Sequence, residues 1–93
     1  MTRIVIRELI WYENRNLRHI RRHNVSKEEV EEAGKALIYH RKVRGGLYLA
    51  IGRSGKRLIT IILIWQGTGK YYVVTARDSS RKERKDVYEK ENK

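Results

Sequence analysis

The stretch Tyr72–Tyr88, YVVTARDSSRKERKDVY, decides how this chain is read. Its first half is rich in β-branched and aromatic residues and ends in Thr75-Ala76-Arg77, the composition of a strand. A polar break follows at Asp78-Ser79-Ser80. Ser80 stands three residues before Glu83, the spacing at which a serine and a glutamate cap a helix N-terminus reciprocally. A strand end and a helix therefore lie side by side and gather Arg77, Lys82, Arg84 and Tyr88. Several cations and a phenol in one place suit binding and straining a phosphodiester. The carboxylate or Cys/His cluster that a metal site needs does not accompany them.

Working upstream, a period of two holds from Leu37 onward and predicts strands at Leu37–Arg44, Leu47–Arg53, Arg57–Trp65 and Tyr71–Arg77. Their separators, Arg44-Gly45-Gly46, Ser54-Gly55-Lys56 and Gln66–Lys70, are hairpin-length turns with glycine for positive φ. Ile59 to Ile64 is almost continuously apolar, which suggests a central strand covered on both faces, or one with a face against a partner. Nearer the start, Ile4, Ile6, Leu9, Ile10 and Trp11 suggest a further strand. Asn14 to His23 has helical spacing, with Leu17 and Ile20 on the apolar side and Arg15, Arg18 and Arg22 on another. Asn24 ends that helix, since Asn tolerates left-handed C-cap geometry. Ser26 caps the next, with Glu29 three residues on and Val25, Val30, Ala33 and Leu37 as its buried positions; Gly34 lies near its end. A last helix spans about Arg81 to Lys90 and frays into a charged tail from about residue 89.

The expected architecture is α+β: a curved antiparallel sheet packed against two N-terminal helices and one C-terminal helix. The 93 residues make a single domain, 1–93. Cys and Pro are both absent, so neither a disulfide frame nor a thiolate metal site is possible. The longest apolar run, Leu58–Trp65, has strand length and falls far short of a membrane span. Met1-Thr2-Arg3 leads into the chain without signal-peptide architecture, and the expectation is a soluble, cytoplasmic protein.

Net charge is +11 and the isoelectric point about 10.3. Four of the eleven acids cluster at Glu28, Glu29, Glu31 and Glu32, and the rest of the chain carries +15. A surface this basic draws in polyanions, which points to nucleic acid or an acidic protein partner.

Three blocks give the chain a resemblance to a known family. The first is Trp11 followed by Asn16-Leu17-Arg18-His19-Ile20-Arg21-Arg22-His23-Asn24-Val25-Ser26. The second is Tyr48-Leu49-Ala50-Ile51-Gly52-Arg53-Ser54 with Gly55-Lys56-Arg57-Leu58. The third is Val74-Thr75-Ala76-Arg77-Asp78 with Lys82-Glu83-Arg84 and Tyr88. In this order they resemble the BrnT-type toxins, a branch of the RelE/ParE-like toxin superfamily. Asn24 stands where that pattern usually has glycine, and Arg22 where it has lysine. The resemblance implies a RelE-like fold and a small ribonuclease toxin that blocks translation by cutting RNA. It also implies a cognate antitoxin, usually with a ribbon-helix-helix DNA-binding domain, and a hetero-oligomer of the two.

RNA can be cleaved without a metal or other cofactor, because its own 2′-OH can attack the adjacent phosphate; the enzyme aligns that oxygen and neutralises the phosphorane. Arginine suits the second task, staying charged and forking onto two phosphate oxygens. The candidates are Arg77 at the strand end, Arg84 on the last helix and Arg57 opening the central strand. Arg53, Lys56, Arg81 and Lys82 are candidate RNA contacts. Tyr88, aligned with the family's last-helix tyrosine, can donate a proton, orient, or stack on a base. His23, in the family motif, has a suitable intrinsic pKa, as does His40. Glu83 reads as a cap rather than a base. His19 and His23 have metal-ligand spacing, but Arg15, Arg18, Arg21 and Arg22 around them would repel a cation. Trp65 is the candidate partner contact; Leu63 and Ile64 beside it read as core. Two readings stand: a metal-independent endoribonuclease toxin, or a non-catalytic toxin-like module that holds nucleic acid or a protein partner.

Overall fold

The computed structural model describes residues 4–92; the expectations for Met1-Thr2-Arg3 and for Lys93 lie outside them. The elements run in the order β1 (Glu8–Ile10), a π-helical turn (Glu13–Leu17) continuing into α1 (Arg18–Arg21), α2 (Lys27–Lys35), β2 (Leu37–Lys42), a 3-10 turn (Arg44–Gly46), β3 (Leu47–Ser54), β4 (Arg57–Gly67), β5 (Lys70–Asp78) and α3 (Arg81–Glu91). One five-stranded sheet has the spatial order β1-β5-β4-β3-β2. Strands β2 to β5 form the expected antiparallel meander, joined by the glycine turns.

The sheet is mixed, not wholly antiparallel: β1 pairs parallel with β5, Leu9 opposite Tyr71. The rule that neighbours joined by short turns pair antiparallel governs β2 to β5 only. β1's partner is the last strand, and the backbone N–H groups of Arg7 and Glu8 donate to the Gly69 carbonyl at 2.8 and 3.0 Å. Ile4 to Arg7 is not strand; Ile4 and Leu9 pack in the core, and Ile6 packs against it.

The two sheet faces have different covers. On one, Ala50, Ile59, Ile61, Leu63, Val73 and Ala76 meet Ile20, Val25, Val30 and Ala33 of the α1 and α2 region, all buried. Glycine at position 52 is a requirement of this packing. A Cβ there would fall inside the carbonyl oxygen of Ala33, so α2 lies with its backbone directly on β3. On the other face, Leu49, Ile51 and Leu58 meet Val87 of α3, with Ile38, Tyr39, Val43 and Ile62 around them. β4 is thus covered on both sides, the first of the two arrangements its largely apolar run suggested, and Leu63 is core.

Both predicted capping boxes form. The Ser26 hydroxyl accepts from the Glu29 N–H while the Glu29 carboxylate accepts from the Ser26 N–H, and Ser80 and Glu83 repeat the arrangement. The first helix differs from expectation at its start. Asn16, 1% exposed, has its side-chain oxygen accept from the Tyr12 and Leu17 N–H groups at 2.8 and 3.1 Å. Its amide donates to the Ile10 carbonyl at 2.7 Å, so one buried side chain ties the strand end to a π-helical turn. Asn24, with φ of 57°, takes the left-handed cap position expected of it.

α3 is a weakly apolar helix. Val87 is its one buried hydrophobic residue, and full burial of a valine contributes about 1.5–3 kcal/mol. An isolated helix of this length is marginal in water. What fixes it on the sheet, beyond Val87, is a set of charged contacts, and these build the candidate site.

Candidate active-site cleft

Where β4 begins, β5 ends and α3 passes over them, a cleft of about 290 Å³ opens. Arg53, Lys56, Arg57, Leu58, Asp78, Arg84 and Tyr88 line it. Five of the sequence-predicted residues, Arg53, Lys56, Arg57, Arg84 and Tyr88, therefore come together.

The cations of this region differ sharply in how they are held. Arg57 donates through Nε and Nη2 to the two oxygens of Asp78, and through Nη1 to Glu29 on α2 at 2.8 Å. The hydrogen bonds from Asp78 and Glu29 raise its pKa further above its ordinary value. The same contact with Arg57 lowers the Asp78 carboxyl, and Arg84 adds to the effect at longer range. Arg53 forks onto Glu91 near the end of α3. Arg84 is different: its Nε donates to the Ser79 carbonyl at 3.0 Å, and no carboxylate pairs with it among the described residues. Lys56, exposed in the β3–β4 turn, has no carboxylate partner among the described residues either. Arg57 is held by two carboxylates and Arg53 by one, so Arg84 and Lys56 are the cleft cations without a carboxylate partner among the described residues. Tyr88, half exposed, lines both this cleft and a neighbouring groove that Arg81, Arg84 and Lys85 also line.

Arg77 lies behind the cleft wall rather than in it. A bulge between the Ile62–Thr75 and Leu63–Val73 pairs resets the alternation of β5, so Thr75 and Arg77 share the α3 face of the sheet. Arg77 forks onto Glu83, Nη1 to Oε1 at 2.7 Å and Nη2 to Oε2 at 2.8 Å. Glu83 also accepts from the Ser80 N–H at 2.8 Å and from the Thr60 hydroxyl at 2.9 Å. Because Thr60 gives its proton to Glu83, the buried Ser79 hydroxyl is the donor in the 2.7 Å bond between the two. Burial alone would raise the Glu83 carboxyl; the bonds from Arg77, Ser80 and Thr60 outweigh it and hold the group at about 2. A carboxylate saturated by four donors is a poor proton acceptor near neutrality. Glu83 is the cap the sequence predicts and, in addition, the anchor of Arg77.

The remaining predicted residues lie elsewhere. His23 follows α1, its ring edge-on to His19 with centroids 5.3 Å apart, and does not line the cleft. Arg81 and Lys82 are exposed in the first turn of α3. Trp65, 56% exposed, is eight residues along β4 from Arg57, roughly 26 Å away at the far end of the strand. Among the described residues no group of His, Asp and Glu side chains is arranged to hold a metal ion, and no helix is long and apolar enough to cross a membrane.

Sequence reasoning passed over the acids that hold the cations: Asp78, Glu29 and Glu91. The one available signal was the hairpin register, which puts Arg57 and Asp78 on neighbouring positions of adjacent strands. The Glu29 and Glu91 pairings join residues 28 and 38 positions apart and left no local trace.

This arrangement of sheet and helices is also found among solved structures. One solved structure it resembles is the ribonuclease toxin BrnT of Brucella abortus, whose crystal structure superposes with a TM-score of 0.63 over 80% of this chain and 97% of that one. Identity between the two is 21%, so the likeness is one of fold. No family model matches the sequence, and no curated protein is similar enough to it to match.

Proposed function

We propose that this protein is a metal-independent endoribonuclease toxin of a toxin–antitoxin pair, which inhibits translation by cutting RNA. The observation that carries the reading is the cleft that gathers Arg53, Lys56, Arg57, Arg84 and Tyr88 on a BrnT-like fold. The Arg84 fork and the Lys56 ammonium, free of carboxylates, bind the scissile phosphate and neutralise the phosphorane. Arg57, fixed by Asp78 and Glu29, is a rigid part of the cleft wall whose charge those two acids offset. Arg77 supports the wall from behind through Glu83. The 2′-oxygen attacks phosphorus and loses its proton to solvent in the open cleft. The bond to the 5′-oxygen breaks, and the Tyr88 phenol gives that oxygen its proton. The products are a 2′,3′-cyclic phosphate and a 5′-hydroxyl. RNA supplies its own nucleophile, so the scheme calls on no metal.

The partner on this reading is an antitoxin with an acidic segment, carrying a ribbon-helix-helix domain and held in a hetero-oligomer in the cytoplasm. Trp65 is its proposed contact. One observation favours the binding-only alternative: three of the nominated arginines, Arg53, Arg57 and Arg77, already carry carboxylates. The experiment that separates the two is incubation of partner-free protein with RNA in EDTA. Cleavage ending in a cyclic phosphate, lowered about a hundredfold or more in Arg84→Ala and Tyr88→Phe, supports the enzyme. Intact RNA overturns it in favour of the binding module.

A further inference from the structure

Three of the cations that no acid clamps lie together away from the cleft, on and just after the first helix. Arg15, Arg18 and Arg22 are exposed, and none pairs with a carboxylate among the described residues; of the arginines there, Arg21 alone does, with Glu13. Asn14, Arg15, Arg18, His19 and Arg22 line a shallow groove of about 250 Å³. At its end the chemistry changes from charge to aromatic rings. The Arg15 guanidinium lies 5.6 Å above the Tyr12 ring, and Tyr12, 51% exposed, meets Tyr72 with ring centroids 6.1 Å apart. Tyr72 stands on β5 opposite Ile64, on the sheet face that also carries Thr75 and Arg77.

We infer that Arg22, Arg18, Arg15, Tyr12 and Tyr72 form a single-stranded RNA track leading from the first helix over the sheet edge toward the cleft. The inference rests on the ribonuclease reading for the track's purpose, and on geometry for its existence. From Arg22 to Arg15 the helix rises about 10 Å, and from Tyr72 to Arg77 the strand advances about 16 Å. With the aromatic step between them the path is about 30 Å long, room for several nucleotides. Cations that follow a backbone, interleaved with rings on which bases stack, are what sequence-tolerant binding of single strands requires. An acidic protein segment would satisfy the arginines and leave the two tyrosines without a task, which favours RNA.

The test is binding of a short 2′-O-methyl oligoribonucleotide, which cannot be cleaved by 2′-OH attack, followed by fluorescence anisotropy across a salt titration. Each released counterion set contributes a slope of about 0.7 on single strands. Replacing Arg15, Arg18 and Arg22 together by Gln is expected to weaken binding at least tenfold at low salt and to flatten the log–log slope by about 2. The corresponding triple Lys variant, which keeps the charge, should restore the slope. Tyr12→Ala should weaken binding about tenfold and leave the slope unchanged. Parent-like affinity and slope in the triple Gln variant would overturn the track. So would intact RNA binding in that variant with loss of its complex with an acidic protein partner. Since the probe is uncleavable, a protein that cuts no RNA sinks the nuclease reading while the slope still decides the track.

Discussion

Replacing Glu83 by Gln tests the network behind the cleft with little steric change. The Gln carbonyl can still accept from the Ser80 N–H, so the capping box survives and the fork from Arg77 is what suffers. A carboxyl held at about 2 instead of its ordinary 4.5 corresponds to roughly 3 kcal/mol at neutral pH. Glu83 has 13% of its side chain exposed but Arg77 has 39%, and solvent screening there reduces the expected loss to about 2 kcal/mol. For a domain of this size that is a fall in Tm of about 8–16 °C. The sign with pH follows from the depressed pKa. The stabilisation is complete above the unfolded value near 4.5 and is lost as pH falls through about 2. Urea denaturation of parent and E83Q at a series of pH values should therefore give two curves about 2 kcal/mol apart at neutrality that converge near pH 2. A neutral-pH difference below about 0.5 kcal/mol, or one that persists undiminished in acid, would refute the assignment of Glu83 as the anchor of Arg77.

Three further outcomes follow from packing. Gly52→Ala places a methyl group inside the Ala33 carbonyl and should cost about 3 kcal/mol or more, read as a large drop in Tm or a failure to fold. Asn16→Ala removes the side-chain acceptor of the Tyr12 N–H and the donor to the Ile10 carbonyl, and a loss of about 1–3 kcal/mol in urea denaturation is expected. Trp65→Ser removes an exposed ring that supports no core, and Tm should change by no more than the equivalent of about 0.5 kcal/mol.

The parts of the fold that sequence made legible are those written in local chemistry. Ser26 with Glu29 and Ser80 with Glu83 announce two helix starts, and the glycine turns with period-two runs announce β2 to β5. The run Ile59 to Ile64 suggests a strand buried on both faces. What sequence hid depends on partners far away in the chain. β1 was drawn too long because Ile4 and Ile6 alternate like strand residues while serving the core beneath α2. Its parallel pairing rests on the Gly69 carbonyl, which no local pattern signals. The bulge near Val73 moves Arg77 to the α3 face, and a plain alternation count gives no warning of it. The site was legible to the extent that residue type implies cationic chemistry. It was not legible in the respect that matters most for that chemistry, namely which cations already hold an acid.

The parallel pairing of β1 with β5 also bears on synthesis. β1 is made well before its partner β5, with Glu8 waiting for Lys70. At about 5–20 residues per second that delay lasts several seconds, and closing so long a loop makes a late, slow step in folding. The cleft comes later still, because Asp78, Arg84 and Tyr88 follow β5 or end it. No nascent fragment short of α3 contains the assembled cationic cleft, so the chain gains whatever activity that cleft confers only after its final helix is made.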